Sequence, residues 1–89
     1  MTDLLQEEIS NLPHWKQEGK YLIRKVIFTS FKEALETMQV IGVACDRMNH
    51  HPEWTNVYNR LEIKLTTHDT GDISSKDILL AQKINEIIG

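Results

Sequence analysis

Three histidines carry the chemistry that this sequence can support. His50 and His51 are adjacent and followed by Pro52, and His68 stands in the run Thr66-Thr67-His68-Asp69. Imidazole titrates near working pH, so it can both give and take a proton. Two such groups flanking one ligand can protonate a leaving group on one side and deprotonate the ligand on the other. For any one histidine, capping a helix or filling a polar gap is explanation enough. Three that converge are less readily accidental. A hydrolytic zinc site with three histidines and an open fourth position is the competing chemistry. Adjacent residues in an extended segment point to opposite faces, which works against three rings meeting at one ion. No metal is therefore expected. His14, between Pro13 and Trp15, is expected at the surface. Cys45, the single cysteine, falls on an apolar helix stripe and reads as a buried, inert thiol. Trp15 and Trp54 read as core or interface residues before ligand platforms.

Convergence depends on the elements around the histidines. Residues 53–58 and 61–67 read as two strands joined tightly at Asn59-Arg60. His51 lies eight residues before Asn59 and His68 nine residues after it. A hairpin would thus bring the His-His pair and His68 together at its open end, where a rigid scaffold commonly presents reactive groups. Leu61, Ile63 and Leu65 alternate with Glu62, Lys64 and Thr66, so one face is covered and the other is wet or interfacial. Upstream, Trp15 to Glu18 and Tyr21 to Phe28 form a second hairpin about Glu18-Gly19, with Leu22, Arg24, Val26 and Phe28 on one face.

Three helices complete the pattern. The first starts at Thr2 and Asp3, buries Leu4, Leu5, Ile9 and Leu12, and stops at Pro13. The middle one opens on a Ser30/Glu33 capping box and ends at Asn49 ahead of Pro52. Its stripe is Phe31, Ala34, Leu35, Met38, Ile41, Gly42, Cys45 and Met48, with Val40, Val43 and Ala44 as surplus apolar residues. The last is capped by Ser74 and Asp77, with Ile73 stapled on Ile78 and a stripe of Ile78, Ala81, Ile84 and Ile88. The order α-β-β-α-β-β-α predicts an α+β two-layer sandwich: a four-stranded antiparallel sheet with the helices on one face.

Eighty-nine residues allow one domain, spanning 1–89, with a small core of its own. A composition of 40% hydrophobic and 26% charged residues is that of an ordinary globular domain. The net charge of −3 disfavours direct nucleic-acid binding, and no apolar run reaches the roughly 20 residues of a membrane span. No signal peptide is expected, because the first residues are acidic with no positive leading region. One cysteine fits a reducing, cytoplasmic setting. The surplus apolar residues of the middle helix and the open sheet edges point to a homodimer, with a homotetramer as second choice.

The run Asp46-Arg47-Met48-Asn49-His50-His51-Pro52-Glu53-Trp54-Thr55-Asn56-Val57-Tyr58 resembles the signature of the pterin-4a-carbinolamine dehydratases, with Tyr58, His68 and Asp77 at the family's later spacings. Residues 28–34, the leading helix and Trp15 resemble the family too, so the likeness covers nearly the whole chain. It implies dehydration of 4a-hydroxytetrahydropterin to quinonoid dihydropterin, without a cofactor, in recycling tetrahydrobiopterin for an aromatic amino-acid hydroxylase. It implies His51 and His68 as acid and base and His50 as the residue that binds or orients the pterin. Asp46 would stand close to the pocket, Pro52 would aim the histidine pair, and backbone groups near Thr66 and Thr67 would help hold the ring. Asp77 is explained by helix capping alone. Asp72 replaces a frequent glycine, and Lys64-Leu65 stand where many relatives carry an aromatic; both bear on substrate preference more than on chemistry. The resemblance also implies an alternative, a non-catalytic dimerisation or interaction module of the same fold, since one family member also serves as a dimerisation cofactor of a transcription factor and others with decayed motifs are assembly or cofactor-pathway proteins.

Overall fold

The computed structural model describes residues 3–89. In chain order the elements are α1 (Asp3–Ser10), β1 (Lys16–Glu18), β2 (Tyr21–Ile27), α2 (Phe31–Met48), β3 (Glu53–Val57), β4 (Arg60–Leu65) and α3 (Ser75–Ile88). The four strands form one antiparallel sheet in the order β1-β2-β4-β3. The expected α-β-β-α-β-β-α sandwich is the observed one; the helix start expected at Thr2 lies outside the described residues.

Register explains which sheet face is covered. Leu22 pairs with Leu65, Arg24 with Ile63 and Val26 with Leu61, while Trp54 of β3 pairs with Ile63. Since side chains alternate along a strand, these residues share one face. Leu22, Leu61, Ile63 and Leu65 are almost fully buried there beneath Ala34, Ile41, Cys45, Ile78, Ala81 and Ile84 of the helices. Each such aliphatic side chain stabilises the fold by roughly 1.5–3 kcal/mol on burial. The opposite face carries Lys25, Ile27, Thr55 and Val57, all exposed.

The helix faces differ from the sequence reading in three places. Leu4 is 65% exposed, so α1 contributes Leu5 and Ile9 to the core without it, and Leu12 joins them from just beyond the helix. In α2, Phe31 and Leu35 are exposed while Ala44, read as surplus, is buried. The covered arc centres on Ile41, and Phe31 and Leu35 lie roughly 80° and 120° round the helix from it at 3.6 residues per turn. Val40 and Val43 do stay exposed. The β3–β4 turn is also displaced by one residue: Val57 pairs with Arg60, leaving Tyr58-Asn59 as the loop, with Tyr58 at φ 54°.

A buried cation ties the two layers together. Arg24 donates to Asn85 Oδ1 at 2.6 Å and to the Gly89 carbonyl at 2.8 Å. The last turn of α3 has no basic residue, so a strand supplies the positive charge that a helix C-terminus favours. Asn85 also accepts from Trp15 Nε1 at 2.8 Å and donates to the Pro13 carbonyl at 3.0 Å, which fixes Trp15 in the core. Desolvation lowers the Arg24 pKa from its ordinary value, but a guanidinium retains its charge.

Candidate active site

Two helix ends and a hairpin build the site. Ser30 accepts from the Glu33 N–H at 3.0 Å, and the Glu33 carboxylate takes the N–H of Thr29 at 3.0 Å. That start sets the phase of α2. At its other end Asn49 adopts the left-handed conformation, φ 52°, and its N–H reaches back to Asp46. Asparagine tolerates this conformation better than most residues. The turn releases His50, whose N–H still bonds the Cys45 carbonyl at 3.1 Å, and throws His51 and Pro52 toward the start of β3. His68 follows β4, in a loop closed by the Thr67–Asp72 bridge and by Gly71 at φ 68°.

The open end of the hairpin does gather the three imidazoles. His50, His51 and His68 line one cleft of about 250 Å³ together with Asn49, Thr66, Thr67, Asp69 and Lys76. Larger hollows lie on the open sheet face near Ile27 and Val57 (about 410 Å³) and between α2 and α3 (about 550 Å³), but neither contains a histidine. A second hollow of about 440 Å³ adjoins His51 and is walled by Asp46, Pro52 and Trp54. His51 therefore stands between the polar cleft and an aromatic-walled recess. His14 is exposed, as expected, and away from the cleft.

Each cleft histidine faces its own carboxylate, at graded distance and burial. His50 Nε2 is 2.6 Å from Asp77 Oδ1, with the Asp77 side chain fully buried and that of His50 only 10% exposed. His51 Nε2 is 2.9 Å from Asp46 Oδ1, with side-chain exposures of 57% and 81%. His68 Nε2 is 3.9 Å from Glu53 Oε2, beyond hydrogen-bond reach. The neighbouring Glu53 carboxylate, by hydrogen bonding and by its charge, favours the protonated Tyr21 phenol and raises its pKa above the ordinary value, and Lys64 Nζ lies 5.0 Å over the Tyr21 ring.

Asp77 does more than the cap that explained it from sequence. Its Oδ2 takes the Ser74 N–H at 2.9 Å, which is the capping-box bond, and the Thr67 hydroxyl at 2.7 Å. Oδ1 is left for His50. The sequence shows the cap through Ser74 and Asp77, but nothing in it reveals where the second oxygen points. Glu53 was missed for a related reason: it reads as an ordinary strand residue until the register sets it at the same sheet end as His68.

Thr66 and Thr67 both stand on the cleft wall and are buried. The Thr67 N–H bonds the Asp72 carbonyl at 3.0 Å, and its carbonyl accepts from Thr70 and Gly71, so both of its backbone groups are engaged in the loop. Cys45 is buried in the core. Desolvation, with the Asp46 charge adding to it, raises the thiol pKa. No set of three or more His, Cys, Asp or Glu side chains among the described residues is arranged to hold a metal ion. The Nε2 atoms of His50 and His51 already face carboxylates.

Comparison with known proteins places this chain in a family. Residues 2–87 match the family model described as pterin 4 alpha carbinolamine dehydratase. A Synechococcus protein provisionally named as such a dehydratase is 45% identical over 83 residues, covering 92% of this chain and 89% of its own length. A provisionally named Afipia carboxidovorans protein is 39% identical over 94 residues, covering 98% and 94%. Among solved structures, a Brucella melitensis protein described as a transcriptional coactivator/pterin dehydratase superposes with a TM-score of 0.93 at 30% identity, covering 100% of this chain and 98% of that one. A pterin dehydratase-like protein described as a RuBisCO assembly factor of the alpha-carboxysome shares the fold at 15% identity, with a TM-score of 0.72 over 84% of this chain and 89% of its own.

Proposed function

The chain belongs to the pterin 4 alpha carbinolamine dehydratase family, and from that premise we propose that it is an active dehydratase driven by histidine acid–base chemistry. The substrate is a 4a-hydroxytetrahydropterin. One imidazolium protonates the 4a-hydroxyl as the C4a–O bond breaks and water departs. A neutral imidazole removes the N5 proton, and the N–H electron pair becomes the C4a–N5 double bond of quinonoid dihydropterin. His51 and His68 are the acid–base pair, and His50 orients the ring. Asp46 holds His51, Pro52 aims the pair, and Thr66 and Thr67 shape the wall on which the ring rests. The observation that carries this reading is the gathering of three imidazoles, each facing a carboxylate, in one small cleft. No step needs a metal or a bound cofactor, so turnover should survive exhaustive chelation.

The physiological role that follows is the return of tetrahydrobiopterin to an aromatic amino-acid hydroxylase, in the cytoplasm. No helix among the described residues is long and apolar enough to cross a membrane. The test is a phenylalanine hydroxylase reaction in which decay of the 4a-carbinolamine is followed with and without this protein.

The alternative, a non-catalytic dimerisation module, draws on exposed Val40 and Val43 beside the α2–α3 hollow. A dimer, or a tetramer through helix packing, is compatible with either function. Light scattering across a dilution series tests it, with Val43→Glu expected to weaken a helix-mediated contact and to leave a strand-edge dimer intact. A stable monomer at micromolar concentration would remove the oligomer.

A further inference from the structure

We infer that Asp77 is a positioning residue that locks His50 in one tautomer, so that His50 offers the substrate a hydrogen-bond acceptor and not a donor. The two oxygens of Asp77 serve different structures. Oδ2 receives the Ser74 N–H and the Thr67 hydroxyl, and Oδ1 receives His50 at 2.6 Å. Thr67 Oγ1 also lies 2.6 Å from Ser74 Oγ. Because the Thr67 proton goes to Asp77, the Ser74 hydroxyl must donate to Thr67. Every hydrogen in this chain runs toward the carboxylate, the pattern that an acceptor-only group accommodates.

The consequence falls on the imidazole. A carboxylate that only accepts requires the proton on Nε2, and a neutral imidazole with that proton has its lone pair on Nδ1. Among the described residues no buried side-chain nitrogen or oxygen lacks a partner. Nδ1 has no partner among those residues, so it is open to solvent, and the open space beside His50 is the cleft. The ligand group placed there must present an N–H or O–H. His51, largely exposed along with its carboxylate, has no such lock. This inference rests on the dehydratase reading only for the identity of the ligand; the tautomer is a property of the free protein.

Asp77→Asn separates the two halves of the carboxylate. The Ser74 N–H is a fixed donor and demands an oxygen, so the amide oxygen keeps the cap and the NH₂ faces His50. Nε2 must then accept, which moves the imidazole proton to Nδ1 and turns the acceptor in the cleft into a donor. Nitrogen-15 NMR of the full chain should show His50 protonated on Nε2 in the wild type and on Nδ1 in D77N. The variant should lose roughly 10–100-fold in kcat/KM, the effect of one mismatched hydrogen bond. Ser74→Ala serves as the structural control: it lowers the melting temperature through the lost cap but should keep both the Nε2 tautomer and kcat/KM.

Three results would overturn the inference: a wild-type His50 protonated on Nδ1, a D77N protein with the wild-type tautomer, or a loss of kcat/KM in S74A equal to that in D77N. The wild-type spectrum decides the first point even if D77N does not fold. A wild-type protein with the Nε2 tautomer and no dehydration would refute the proposed activity and leave the tautomer lock standing.

Discussion

The inner and outer walls of the cleft use the same pair of side chains in opposite ways. On the inner wall His50 meets Asp77 at 2.6 Å with both side chains withdrawn from water; on the outer wall His51 meets Asp46 at 2.9 Å with both largely in water. The distances differ little, yet the consequences differ greatly. Inside, the low dielectric strengthens the bond and makes an unpaired partner costly. Outside, solvent screens the pair and long-lived order has little to hold it. The inner pair is therefore built into the fold through the cap of α3, and the outer pair keeps the solvent access that the proposed proton exchange with a substrate requires. On the proposed function, one wall positions and the other reacts.

Substitutions on the two walls should separate activity from stability. The largest effect belongs to the proposed acid–base pair. His51→Ala and His68→Ala should each slow dehydration roughly 10²–10⁴-fold, as the loss of a positioned acid or base does. Their thermal unfolding should stay near wild type, because both side chains are mostly exposed. Steady-state kinetics beside calorimetry checks both halves. A large loss of stability in either variant would erase the distinction between the walls.

Asp77→Ala comes next and should act on stability. It strands a buried imidazole, removes the acceptor of Thr67 and breaks the cap of α3. Roughly 3–5 kcal/mol is the expected cost for removing one partner of a buried pair, measured by urea unfolding. Asp46→Ala, its outer counterpart, should cost less than about 1 kcal/mol. Equal costs at the two positions would contradict the comparison.

The smallest effects lie away from both walls. His14→Ala should leave turnover and stability unchanged. Cys45 should resist thiol reagents in the folded protein at neutral pH, since burial keeps the proton on sulfur. The sign of its pH dependence follows from the raised pKa. The folded state holds that proton more tightly than the unfolded chain, so the stability contribution is full below the ordinary thiol value and declines as pH rises through the folded one. Reagent titration with and without urea, repeated at alkaline pH, checks both statements.

The difference between the walls also marks what the sequence could show. Binary patterning in residues 61–65 and the cap residues Ser30, Asn49 and Ser74 were enough to set element order and to bring His50, His51 and His68 together. These are local signals, each written within a few residues. The Asp77–His50 bond is not local: it spans 27 positions and depends on how α3 lies against the end of α2. A capping box already accounted for Asp77, so no unexplained residue remained to prompt a search. Glu53 likewise acquired a neighbour in His68 only through strand register. On the helices, Phe31 and Leu35 were apolar at acceptable spacing yet exposed, because the angular centre of a covered face is set by what packs on it.

The most direct test of the acid–base account is the decay of 4a-carbinolamine produced by phenylalanine hydroxylase, recorded with wild-type protein and with the H51A/H68A double variant under chelation. Wild-type protein should accelerate the decay undiminished by chelator, and the folded double variant should return it to the uncatalysed rate. Decay that folded wild-type protein does not accelerate, or that the double variant accelerates equally, would contradict the account.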